Sequence, residues 1–270
     1  MRFLECLTES IALFERGEND RAALVCFGGN LLAEKVWSAQ LDSDSLSRWR
    51  RIAFDLPGHG ASKPSPRPEV RYSMAGYAEL VKSLVSTLGL ERVVLVGHSL
   101  GAHVALEAVA SGCPEIVGAF IFGGPPLAGP QDIERGFRET PAMAYVGAAE
   151  LSAEQAEHWA GEMVAPGTAA PAWMAQALLR VDPQARPLLL QSVGAGCMRD
   201  EVAALQSLAR PAALVHGEHD ALVDRDYLEG LSAPLWRDAV QIIEGAGHMP
   251  QVERPAEFNA LLDDYAREVL

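Results

Sequence analysis

The chain has 270 residues, 49% of them hydrophobic, and its 22 Lys and Arg against 36 Asp and Glu give a formal net charge of −14. This length suits one large domain with room for an insertion, able to bury about three-quarters of its unfolded surface. The acidic balance disfavours nucleic acid and anionic membrane surfaces as partners.

Glu5 stands inside what would have to be an apolar signal core, and no run reaches the ~18 apolar residues of a membrane span. A soluble cytoplasmic protein, monomer or homodimer, is the expectation. Cys6, Cys26, Cys113 and Cys197 stand far apart without C-x-x-C spacing, so they read as buried thiols rather than a zinc site or a disulfide framework.

In chain order, short β-rich runs alternate with longer helical patterns, which predicts the α/β class: a mostly parallel eight-stranded sheet with helices on both faces. Residues 3–6 and 10–14 read as an antiparallel edge pair. Further strands are expected at 22–27, 51–54, 92–96, 117–122, 212–215 and 240–243. Residues 72–88 carry Met74, Tyr77, Leu80, Val81, Leu84, Val85 and Leu88 at helical spacing, so one face of that helix is buried. Helices are also expected at 100–110 and 255–269.

Between Phe122 and Arg210 the alternation stops for about 80 residues, too long for an ordinary connection. Helical patterns at 153–164, 172–181 and 187–193 fill the gap. Gly123-Gly124-Pro125-Pro126 marks its start and Arg210-Pro211 its end. The expected organisation is a core of residues 1–124 and 210–270, with a helical lid of residues 125–209.

In doubly wound sheets, functional groups gather where the strands end. Gly97-His98-Ser99-Leu100-Gly101 follows the 92–96 strand and opens a helix, the pattern of a nucleophile elbow whose tight turn excludes side chains two residues either side of the serine. Strain is expected at Ser99. Asp220 follows the 212–215 strand and His248 the 240–243 strand, so the order Ser, Asp, His matches one of the serial arrangements of a catalytic triad. In that scheme His248 takes the Ser99 proton and Asp220 orients the imidazole. Asp224 and Glu218 compete with Asp220 for the acid role.

A fourth strand-end loop, Gly28-Gly29-Asn30, lets backbone approach a substrate closely. The N–H groups of Asn30 and Leu100 would bracket a developing oxyanion. Gly29, His98 and Trp159 are candidate substrate contacts, with ordinary packing the competing role for His98 and Trp159, as for His59. His103, one helical turn past Ser99, reads as structural. His216-Gly217-Glu218-His219-Asp220 has metal-ligand residue types, but a strand end spreads such side chains in different directions. Neither a metal nor another cofactor is expected.

With these residues in view, the chain resembles the α/β-hydrolase superfamily over nearly its whole length. Asp55-Leu56-Pro57-Gly58-His59-Gly60 looks like the D-x-P-G-x-G loop of its lid-bearing members, and the elbow, the 216–220 segment and Gly245-Ala246-Gly247-His248 follow in order. A closer similarity is to the metal-independent α/β-hydrolase type of N-acyl-homoserine lactonase, through residues 71–78, 123–126 and 250–258 and the lid length. The departures lie in or near the pocket: Gly28 replaces that group's histidine, His98 its elbow tryptophan, Asp220 its acidic glutamate, and Trp159 its lid tyrosine. The resemblance implies a serine hydrolase that cleaves a small-molecule carboxylic ester or lactone through an acyl-enzyme. Alternatives are carbon–carbon bond hydrolysis of a dienoic ketone acid, which would want cations such as Arg135, Arg138, Arg180, Arg186 or Arg199, and a ligand-binding receptor without turnover.

Overall fold

The strands are β1 (Arg2–Cys6), β2 (Glu9–Arg16), β3 (Ala22–Phe27), β4 (Arg50–Phe54), β5 (Arg92–His98), β6 (Ile116–Phe122), β7 (Ala213–Gly217) and β8 (Gln241–Ile243). They form one eight-stranded sheet in the order β1-β2-β4-β3-β5-β6-β7-β8 in a computed structural model that describes residues 1–18, 21–29, 31 and 33–270. β1 pairs antiparallel with β2, and β2 with β4; every other pairing is parallel. The sheet is therefore mostly parallel, with its antiparallel pairings at one edge.

Successive side chains along a strand leave on opposite faces, and here that alternation builds two cores. Val25, Phe27, Leu95, Ile121 and Leu214 join one apolar cluster. Leu24, Cys26, Val96, Phe120, Phe122 and Val215 join the other. Helices α1 (Met74–Thr87) and α2 (Leu100–Ala110) cover the first face. The second face is covered by the C-terminal helix, which buries Phe258, Leu262, Tyr265 and Ala266.

Local chemistry sets the element ends. α1 begins at Met74, two residues later than the spacing predicts, because the Ser73 hydroxyl accepts the Gly76 N–H at 3.0 Å and caps the helix there. β5 outruns its expected end at residue 96, since pairing with β6 continues to His98 opposite Phe122.

Residues 123–212 connect β6 to β7 and are mainly helical. They include α3 (Ala153–Glu162), α4 (Ala172–Leu178), α5 (Ala185–Gly194) and α6 (Glu201–Ser207). α6 is absent from the sequence reading. Its N-cap Asp200 accepts the Ala203 N–H at 2.8 Å, and it packs on α2. The insertion is tied to the core at several points: the Tyr72 hydroxyl donates to Asp182 Oδ2 at 2.5 Å, and the Ala165 N–H donates to Glu253 Oε1 at 2.7 Å. The C-terminal helix completes the set as α7 (Pro255–Val269). Among the described residues, no helix is long and apolar enough to cross a membrane.

Candidate active site

The segment from β5 to α2 turns within one residue. Ser99 sits at that turn with φ 54° and ψ −122°, a conformation that costs a non-glycine residue on the order of 1–3 kcal/mol. Two glycines make the turn possible. A Cβ at residue 97 would lie 2.5 Å from the Gly101 carbonyl oxygen, and one at residue 101 would run into the Phe27 carbonyl oxygen. A serine at a helix N-cap usually accepts an N–H from the first turn, but the Ser99 side chain makes no such bond. Its hydroxyl is thereby left for the cavity that Ser99 helps to line.

His248 lines the same cavity, of about 360 Å³. Its Nδ1 stands 2.9 Å from Asp220 Oδ2, and both side chains are almost fully buried. A carboxylate can only accept, so Nδ1 carries a proton, which leaves Nε2 as the ring nitrogen that faces away from Asp220. Asp220 is held by more than His248: its Oδ1 accepts the N–H groups of Leu222 at 2.8 Å and Val223 at 3.2 Å. Burial alone would raise the Asp220 carboxyl. The charge and hydrogen bond of His248, with the Leu222 N–H, outweigh burial and hold it below the ordinary carboxylate value.

The competing acids lie elsewhere. Asp224 caps the helix Arg225–Glu229 by accepting the Tyr227 N–H at 2.9 Å, and Glu218 accepts the Gly245 N–H at 2.8 Å on the exposed surface.

His98 lines the cavity and also contacts His248. Its Nε2 donates to the His248 carbonyl at 3.0 Å, and the two rings meet edge to face with centroids 4.9 Å apart. Burial first, and then the nearby His248 charge, push His98 down to about 3, so it stays neutral. The β3 loop closes on the elbow: a Cβ on Gly29 would come within 2.9 Å of Leu100 Cβ and 3.5 Å of the Leu100 nitrogen. Asn30, the expected second oxyanion donor, lies outside the described residues.

The remaining wall is largely apolar and includes Met74, Met143, Met163 and Met198, whose flexible thioethers adapt to varied shapes. Trp159 of α3 contributes to it. His59 lines it too, pushed down to about 4 by burial while its Nδ1 donates to the Pro57 carbonyl at 3.0 Å. Two polar lining residues go beyond the sequence reading. His103, taken as structural, reaches the cavity wall; its place four residues after Ser99, on the same helix face, was the available signal. Its Nδ1 lies 2.9 and 3.0 Å from the two Glu201 oxygens. Arg186, one of five arginines that spacing could not place, also lines the cavity, whereas the other four do not. Among the described residues, no group of three or more His, Cys, Asp or Glu side chains is placed to hold a metal ion.

Comparison with known proteins fits this architecture. Residues 24–261 match the Alpha/beta hydrolase family, and the chain belongs to it. A crystal structure of the N-acyl homoserine lactonase AidH, a mutant complexed with N-hexanoyl homoserine lactone, superposes with a TM-score of 0.91 at 31% identity, covering 99% of this chain and 97% of that one. A thermophilic esterase from Thermogutta terrifontis, 20% identical, shares the fold with a TM-score of 0.77 over 99% of this chain and 98% of its own.

Among curated relatives, 2-succinyl-6-hydroxy-2,4-cyclohexadiene-1-carboxylate synthase of Serratia proteamaculans is 27% identical over 94% of this chain and 96% of that protein. An uncharacterized protein of Mycobacterium tuberculosis is 48% identical over 60 residues, and that match spans only 22% of this chain and 17% of the relative's length.

Proposed function

We propose that this chain is a serine hydrolase of small carboxylic esters or lactones, with N-acyl-homoserine lactones as the leading substrate class. One observation carries the reading: a strained serine and a histidine hydrogen-bonded at 2.9 Å to a buried aspartate share the wall of one mostly apolar cavity. The similarity to the lactonase AidH supports the lactone as substrate.

In this mechanism His248 Nε2 takes the proton of Ser99 as Oγ attacks the carbonyl carbon. The carbonyl electrons move onto oxygen, where the Leu100 N–H at the start of α2, with Asn30 from the β3 loop as its partner, stabilises the charge. When the tetrahedral intermediate collapses, His248 returns the proton to the leaving oxygen, which for a lactone remains attached to the opened chain. Water, deprotonated by His248, then attacks the acyl-enzyme and releases Ser99. Asp220 keeps the Nδ1 proton in place and stabilises the imidazolium. The insertion between β6 and β7 serves as a lid: its apolar side chains exclude water and receive the acyl chain.

The test is hydrolysis of N-hexanoyl homoserine lactone and p-nitrophenyl butyrate by the purified protein. Wild type should turn over at least one of them, and Ser99→Ala should lower kcat about 10⁴-fold or more. Equal rates for the two proteins would end the proposal. Rapid labelling of Ser99 by a fluorophosphonate separates an enzyme from a receptor that uses the same pocket without turnover.

A further inference from the structure

The backbone just before His248 is tied to the insertion through one carboxylate. Gly247 donates its N–H to Glu253 Oε2 at 2.9 Å, while the other oxygen of the same side chain, Oε1, accepts the Ala165 N–H at 2.7 Å. Glu253 ends the short helix Pro250–Glu253 in the core, whereas Ala165 follows α3 in the insertion. The half-buried Glu253 therefore bridges two segments 82 residues apart in sequence, 165 and 247.

Packing agrees with the hydrogen bonds. A Cβ on Gly247 would lie 2.5 Å from the Ala165 nitrogen and 2.6 Å from the Val164 carbonyl carbon, so the backbone of the insertion rests directly on this glycine. On the other side, a Cβ on Gly217 at the end of β7 would run into the Gly247 carbonyl oxygen. One residue later, the His248 carbonyl accepts from His98 Nε2 at 3.0 Å. The chain is thus fixed on both sides of the His248 Cα, by Glu253 before it and by His98 after it. The stretch of insertion that Glu253 grips also carries Trp159 and Met163, both in the wall of the cavity.

The bridge needs a carboxylate. Two N–H donors converge on it, and only an ionised carboxyl offers two acceptor oxygens and no donor. Bonds of this charge-assisted kind are about twice as strong as neutral ones. A glutamine in the same place accepts from one N–H and turns its own NH2 group on the other.

We propose that Glu253 is a positioning residue that couples the insertion to the base: the carboxylate that docks the end of α3 over the cavity also sets the backbone from which His248 reaches Ser99. This deepens the hydrolase reading and rests on it for the role of His248. A substrate that packs against Trp159 and Met163 thereby also steadies the His248 loop.

The experiment measures kcat and KM for p-nitrophenyl butyrate or N-hexanoyl homoserine lactone, whichever wild type hydrolyses, in wild type, Glu253→Gln and Glu253→Asp. Circular dichroism first establishes that each protein is folded at the assay temperature. Hydrogen exchange read by mass spectrometry then follows α3 and residues 244–248. Glu253→Gln should lower kcat about tenfold to a hundredfold, the scale set by a misplacement of about 1 Å, with the fall in kcat larger than any rise in KM. Exchange should become about tenfold faster in α3 and in residues 244–248 together, as the loss of one charge-assisted hydrogen bond implies. Glu253→Asp keeps both acceptor oxygens on a shorter stem and should recover part of each effect.

A merely structural glutamate would lower the thermal midpoint and leave kcat of the folded protein near wild type. That outcome overturns the proposal, as does faster exchange confined to one of the two segments. Should wild type hydrolyse neither compound, the hydrolase reading fails separately and exchange alone decides the coupling: α3 and residues 244–248 loosened together in Glu253→Gln support it, and one or neither loosened overturns it.

Discussion

Replacing Asp220 by asparagine tests the acid assignment with almost no change of shape. The Asp220 Oδ1 atom accepts two backbone N–H groups, from Leu222 and Val223, while Oδ2 faces His248 Nδ1 at 2.9 Å. In the variant those backbone donors hold the amide oxygen at the Oδ1 position, so the NH2 group must face His248. An amide N–H can only donate. His248 Nδ1 must then become an acceptor, which moves the ring proton to Nε2, the nitrogen that receives the serine proton in the proposed mechanism. The same tautomer error in a trypsin-like triad costs about 10⁴ in kcat, or roughly 5 kcal/mol of barrier.

The backbone contacts to residues 222 and 223 persist, so Asp220→Asn should fold. Circular dichroism and thermal unfolding check this before initial rates are measured on whichever ester or lactone wild type hydrolyses best. Asp224→Asn is the control, because asparagine caps a helix about as well as aspartate and Asp224 serves the helix Arg225–Glu229. Its kcat should stay within about threefold of wild type, as expected for a residue outside a triad. A folded Asp220→Asn enzyme with kcat within about tenfold of wild type would refute the tautomer argument.

The elbow makes a packing prediction: Gly101→Ala puts a methyl group against the Phe27 carbonyl, and overpacking of this kind costs about 1–3 kcal/mol. The thermal midpoint should drop by roughly 2–5 °C; an unchanged midpoint would contradict the close approach of α2 to the end of β3. The buried His103 and Glu201 pair predicts a pH-dependent stability. Burial opposes protonation of His103, but the charge and hydrogen bond of Glu201 outweigh it and raise the imidazole above its ordinary value of 6.5. The stabilisation is therefore fully present below about pH 6.5 and is lost as pH rises through the raised value. Glu201→Gln should cost about 2 kcal/mol at pH 6 and progressively less toward pH 9, read by urea unfolding at each pH; a penalty that grows with pH would reverse the sign and sink the assignment.

Much of the architecture was legible in the chain because its signals are local. Strand and helix patterns depend on neighbours within a few residues, so all eight strands were placed to within two residues of their observed ends. Gly97, Ser99 and Gly101 announced a strained turn by their spacing, and the positive φ of Ser99 agrees. Asp220 could not be separated from Asp224 and Glu218 by sequence, since all three follow one strand. Which of them meets a histidine 28 residues downstream of Asp220 depends on how β7 and β8 lie side by side.

The sequence by itself determined the class of fold, the elbow and the order of the three candidate catalytic residues, because each is written in contiguous residues whose backbone geometry is set locally. Only the tertiary structure decided what surrounds them. His98 came to rest on the His248 carbonyl, His103 on Glu201, and Arg186 on Trp159. Those contacts join residues 27 to 150 positions apart. Their geometry depends on how the strand ends lie side by side and how the helices between β6 and β7 settle over them, a choice made by the packing of whole surfaces rather than by the spacing along any one of them.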